Sequence, residues 1–138
     1  QTVDVELTNQ PIPREKLDFI YRLKTGALLE ASLMIGAVLA GAGEKEVRTM
    51  EEIASLVGLA FQIQDDILDV TGDAKELGKP VLSDEKNNKT TYVTLEGLQK
   101  AREDVKAISA RAVELLASLD RRNEFLEELI NMLTDRRK

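Results

Sequence analysis

Apolar residues recur at spacings of three and four along most of this chain, the pattern of one helix face. Residues 1–7 alternate weakly and read as the tail of a helix. Asn9, Pro11 and Pro13 break the pattern, and Pro13 suits the first turn of a new helix from about Arg14 to Leu23. A second helix is predicted over Thr25–Ala40. Its middle, Ala31 to Leu39, is apolar or small on every side, so it is expected to be buried under other helices all round. Gly41-Ala42-Gly43 ends it. A long helix follows from about Glu46 to Val70, expected to be central. A loop runs from Gly72 to about Thr90, with Gly78, Pro80, Asn87 and Asn88 inside it. Loops of that length more often bind or cover a ligand than merely connect. Amphipathic helices over Leu98–Leu119 and Asn123–Leu133 complete the chain. No repeat or domain boundary interrupts it.

Composition supports this all-α reading. Apolar residues make up 43% of the 138 positions and aromatic residues only 4%, too few for a β-sandwich. The length is enough for one real core. Nucleic acid and anionic membrane are poor partners for a net charge of −6. No apolar run approaches the roughly 20 residues of a membrane span, and no signal peptide is visible, so a soluble cytoplasmic location is expected. Histidine and cysteine are both absent. Disulfides, thiolate nucleophiles and ordinary zinc sites are therefore excluded, and chemistry must fall to carboxylates and lysines.

The long helix carries the informative segment, Phe61-Gln62-Ile63-Gln64-Asp65-Asp66-Ile67-Leu68-Asp69. At about 100° per residue, Gln62, Asp65, Asp66 and Asp69 fall within one arc of roughly 100°. Ser55 and Gly58 extend that arc and leave it uncrowded, while Ile63, Ile67 and Val70 mark a packed face. Three clustered carboxylates repel one another, and a hard divalent cation relieves the repulsion; magnesium needs few of them because it keeps waters and phosphate oxygens. The competing reading is a solvated acidic face. Such a face would also carry lysines and glutamates, whereas this cluster interrupts an apolar helix. Cations for a phosphate group stand nearby in sequence: Lys75, Lys79, Lys86 and Lys89 in the long loop, and Lys24 at the start of the apolar helix. Alone, Lys24 would read as a capping or snorkelling residue.

With these residues in order, the chain resembles the trans-isoprenyl diphosphate synthases, a family that includes farnesyl and geranylgeranyl diphosphate synthases. Gln1-Thr2-Val3-Asp4 is similar to the end of that family's GQxxD helix, and Lys24-Thr25-Gly26 to its KTG element. Phe61-Gln62 with Asp65-Asp66-Ile67-Leu68-Asp69 resembles its second aspartate-rich motif. Gly78-Lys79, Ser83-Asp84 and Lys89-Thr90-Thr91-Tyr92 resemble its GK…SD…KxTY loop, and Asp135-Arg136-Arg137-Lys138 its basic ending. Each motif alone is weak; their shared order over the whole chain is specific.

The resemblance implies a helical bundle of the isoprenoid synthase type, with residues 1–138 as the carboxy-terminal part of one such domain. It implies a magnesium-dependent prenyltransferase that joins an allylic diphosphate to isopentenyl diphosphate head to tail. Asp65 would be the main metal ligand, with Asp66 and Asp69 binding directly or through water. Lys24, Thr25, Lys79 and Lys89 would hold the allylic diphosphate, and Gln62 would approach the developing carbocation or the diphosphate. Lys24, Gln62 and Asp65 are thus the expected catalytic residues. Two departures stand out. The family's first aspartate-rich motif, DDxMDxxxxRR, is absent, and Tyr21 occupies a position where histidine is common. An amino-terminal half of the same protein is therefore an expected partner, and a homodimer of complete units the expected assembly. The alternatives are a non-catalytic regulatory subunit of a heteromeric synthase and a plain helical module with an acidic surface. Retention of all three aspartates and the lysines disfavours the former. Product chain length is not legible in these residues.

Overall fold

The computed structural model describes residues 1–72, 89–121 and 123–134. Helix α1 spans Thr2–Glu6 and α2 spans Arg14–Tyr21. The chain then continues through a π-helical turn, Arg22–Gly26, directly into α3, Ala27–Leu39. Helix α4 spans Glu44–Thr71, α5 Tyr92–Glu96, α6 Leu98–Ala117 and α7 Glu124–Thr134. There is no strand among the described residues.

Local chemistry sets several of these boundaries. The Gly43 N–H donates to Glu46 Oε2 at 2.8 Å, so a glutamate in the first turn closes the start of α4. Thr91 and Thr94 exchange bonds at the start of α5, Thr94 N–H to Thr91 Oγ1 at 3.2 Å and Thr91 N–H to Thr94 Oγ1 at 2.8 Å. Gly97, at φ 85°, turns the chain from α5 into α6 in a backbone region that side chains resist. Asn123 Oδ1 accepts the Leu126 N–H at 3.0 Å and caps α7.

Helix α4 is the central strut, as its apolar periodicity predicts. One core cluster gathers Ile12, Leu17, Ile20, Tyr21, Ile63, Ile67, Tyr92, Ala101 and Val105 around its acidic end. A second cluster, with Met50, Ile53, Val57, Ala112, Leu116 and Ile130, surrounds its other end.

Two expectations are corrected. Helix α3 is not covered all round. None of its residues is buried, and Leu28, Ile35, Val38 and Leu39 stand exposed. Only the stripe of Leu29, Leu33 and Ala37 packs on the core, because a single neighbouring layer can cover a single face. The acidic arc of α4 is also not open above the aspartates. Gly58 is buried, and a Cβ placed there would lie 2.9 Å from the Gly26 Cα. Small residues on this face serve a close crossing with the π-helical turn rather than an open channel.

Candidate active site

The Lys24-Thr25-Gly26 element falls on the π-helical turn. Ala27 N–H bonds to the Arg22 carbonyl, five residues back, so the turn is widened by one residue and locally underwound. Such bulges occur mostly as single turns, frequently at functional sites. Here the bulge also brings Gly26 against Gly58 of α4.

The aspartates at the end of α4 are not equivalent. Asp65 is half-buried, while Asp66 and Asp69 are 8% and 2% exposed. Asp66 joins three segments. Its Oδ2 accepts the Tyr21 hydroxyl, and it accepts the Tyr92 N–H at 2.9 Å. The Tyr92 N–H also reaches the Tyr21 hydroxyl oxygen at 3.2 Å. A buried carboxylate must be met by donors; at Asp66 they include the residue before the π-helical turn and the first residue of α5.

Tyr92 is anchored at its other end as well. Its hydroxyl donates to Asp104 Oδ2 at 2.7 Å and accepts from the Arg14 guanidinium at 2.8 Å. That guanidinium lies 4.2 Å from the centre of the Tyr92 ring, a cation–π contact, and also bonds Asp18 and Glu96. Burial and the bond to Asp104 push the Tyr92 hydroxyl up to about 12. Lys100 pairs with Asp104 from the preceding turn of α6. Lys100 and Tyr92, each bonded to the Asp104 carboxylate, hold it below the ordinary carboxylate range.

The two described lysines expected to bind diphosphate converge. Lys24 Nζ lies 2.9 Å from Asp4 Oδ2, and Lys89 Nζ lies 3.5 Å from the same oxygen. Burial works against ionisation of Asp4, but the two ammonium groups outweigh it and hold the carboxyl low. Each lysine stands three residues from a tyrosine bonded to Asp66: Tyr21 before Lys24, and Tyr92 after Lys89. The two cations and the aspartate-rich helix end are therefore tied together through one buried carboxylate. Gln62 is half-buried on α4, one helical turn before Asp66. Lys79 and the basic ending Asp135–Lys138 lie outside the described residues.

Sequence reasoning placed the aspartates and lysines but did not single out Arg14 or Asp104, and gave Asp4 and Tyr92 no role beyond their motifs. Tyr21 was visible only as a departure from histidine. It turns out to hold an aspartate of the motif.

Among the described residues, no three carboxylates, histidines or cysteines converge into a closed metal cage. The donor set at the end of α4 is oxygen only. That chemistry fits magnesium, which is commonly held by one or two carboxylates and completed by waters and substrate phosphates.

A helical bundle that carries an aspartate-rich helix end and two lysines converging on one carboxylate defines the class of protein. Comparison with known proteins places the chain within it: a polyprenyl synthetase family model matches residues 1–133, and the chain belongs to that family. A short chain isoprenyl diphosphate synthase of Methanocaldococcus jannaschii is 46% identical over 134 residues, covering 96% of this chain and 40% of the relative. The geranyltransferase of Helicobacter pylori, solved with magnesium and isoprenyl diphosphate, superposes with a TM-score of 0.79 at 33% identity, over 96% of this chain and 44% of its own. The heptaprenyl diphosphate synthase of Staphylococcus aureus superposes at 0.90 over 99% of this chain and 55% of its own; at 20% identity it supports the fold alone. The chain thus spans about half the length of these proteins or less.

Proposed function

We propose that this chain supplies the second aspartate-rich motif and the diphosphate-binding lysines of a magnesium-dependent prenyltransferase that condenses an allylic diphosphate with isopentenyl diphosphate. The observation that carries the reading is the link from Lys24 and Lys89, through Tyr21 and Tyr92, to Asp66.

Lys24, Lys89 and, from the loop, Lys79 hold the diphosphate of the allylic substrate by charge-assisted hydrogen bonds. They are aimed at the group on which negative charge grows as the allylic carbon–oxygen bond breaks, so they favour the transition state over the ground state. Thr25 joins the lysines in holding the diphosphate, and Gln62 approaches the developing carbocation or the diphosphate. Asp65 would be the main ligand for magnesium, with Asp66 and Asp69 as direct or water-mediated contacts. When bound, the metal neutralises charge on the departing diphosphate. Tyr21 and the Tyr92 amide fix Asp66, and so fix the register between α4 and both lysines. The other aspartate-rich motif comes from an amino-terminal half of the same protein, and two complete units pair as a homodimer in the cytoplasm.

The test is Asp65→Ala in the complete enzyme, meaning this chain together with an amino-terminal half that carries the first aspartate-rich motif. Turnover should fall by about 10²-fold or more, the scale of losing one charge-stabilising contact in the transition state. Near-normal turnover in steady-state assays would remove Asp65 from the mechanism.

A further inference from the structure

Asp4 has an unusual position for a surface carboxylate. It lies on α1, a helix of five residues that buries none of them fully. Yet its side chain is only 19% exposed, and a single oxygen, Oδ2, meets the ammonium groups of two lysines remote from it in sequence. Lys24 comes from the π-helical turn, and Lys89 precedes α5 by a few residues.

Two ammonium groups held near one oxygen repel each other. Without the carboxylate between them, both flexible side chains would swing apart, since each long lysine stem has many rotamers open to it. With it, they converge. The three groups together retain one net positive charge, so the cluster still attracts an anion. Each ammonium has three N–H donors; Lys24 uses one on Asp4 and Lys89 pairs with it at 3.5 Å, which leaves donors on both for phosphate oxygens.

We infer that Asp4 is a positioning residue of the allylic diphosphate site, holding Lys24 and Lys89 together before substrate binds and during turnover. This inference rests on the proposed function. It adds a residue that touches no substrate and acts only through the two lysines.

The experiment is steady-state kinetics of Asp4→Asn in the complete enzyme, with each substrate varied in turn. The KM for the allylic diphosphate should rise about tenfold, the scale of losing a hydrogen bond to a charged group, while the KM for isopentenyl diphosphate stays unchanged. Calorimetric titration with inorganic diphosphate in magnesium should show the same weakening without turnover. Asp4→Glu, which keeps the charge, should recover most of the loss and serves as the second variant if Asp4→Asn folds poorly. On a Lys24→Ala background, Asp4→Asn should cost less than on the wild type, because the two act through one contact. Three results would overturn the inference: a parallel rise in both KM values, which marks a general structural defect; no change in either; or a fall in the allylic KM, which would make Asp4 a competitor of the diphosphate. Lys24→Ala and Lys89→Ala separate this inference from the reading beneath it. If neither raises the allylic KM, the diphosphate site itself is wrong. If both do and Asp4→Asn does not, only the role of Asp4 fails.

Discussion

Asp66 shows how one carboxylate can belong to a reactive motif and to the fold at once. Its hydroxyl and amide donors come from 45 and 26 residues away, so no local spacing could reveal them. What the sequence made legible was the arc: helical periodicity put Gln62, Asp65, Asp66 and Asp69 on one side of α4. Which aspartate is committed to Tyr21 and Tyr92 depends on tertiary packing. The same holds for Asp104, which reads as an ordinary member of an i,i+4 pair with Lys100 and is also the anchor for Tyr92. Its folded-state acidity leads to a test. A carboxyl held below its unfolded value, about 3.9, contributes stability above that value and loses it as pH falls through the lower folded one. Asp104→Asn should therefore be less stable than wild type at neutral pH, and the difference should close below about pH 4. Urea denaturation of the complete protein across pH measures it. A difference that stays constant down to about pH 3 would show that the ionised carboxylate contributes nothing.

At the level of elements, most helices stand close to where periodicity predicts them, within a few residues at each end. Two features were not legible. The sequence reads as one helix ending at about Leu23 and another starting at Thr25, with no sign that the chain runs on between them through a π-helical turn; that turn sets Gly26 against Gly58. Helix α5 falls between the predicted loop, which ends at about Thr90, and the predicted helix from Leu98; five residues are too few to show a period. Of the expected binding loop, Gly72 to about Thr90, residues 73–88 lie outside the described residues. The Gly26–Gly58 crossing makes a sharp prediction. In Gly58→Ala the new methyl would meet backbone at 2.9 Å, and backbone cannot rotate away. The variant should lose about 1–3 kcal/mol of stability, the usual cost of overpacking, as a lower denaturation midpoint. Its diphosphate affinity should also fall, because the π-helical turn carries Lys24. An unchanged midpoint would mean the two helices are not in contact at this point.

At the scale of the molecule, the exposed face of α3 is the largest mismatch between sequence and surface. Leu28, Ile35, Val38 and Leu39 are 59% exposed or more, on the helix whose composition asks for cover on every side. Scattered apolar residues on a surface are ordinary, but a contiguous stripe marks an interface. The expectation that this helix is buried all round does not hold: none of its residues is buried. Relatives in the family are about twice as long or longer, which supplies the material for such cover. No described helix is long and apolar enough to cross a membrane. The proposed amino-terminal half would close this face and bring the opposing aspartates to the same cavity. The most direct measurement is the incorporation of labelled isopentenyl diphosphate into an allylic diphosphate, in the presence of magnesium, by residues 1–138 alone and by the same residues joined to an amino-terminal half of the family. The joined protein should elongate the allylic substrate and the isolated chain should not. Elongation by the isolated chain, or none by a folded joined protein, would contradict the account.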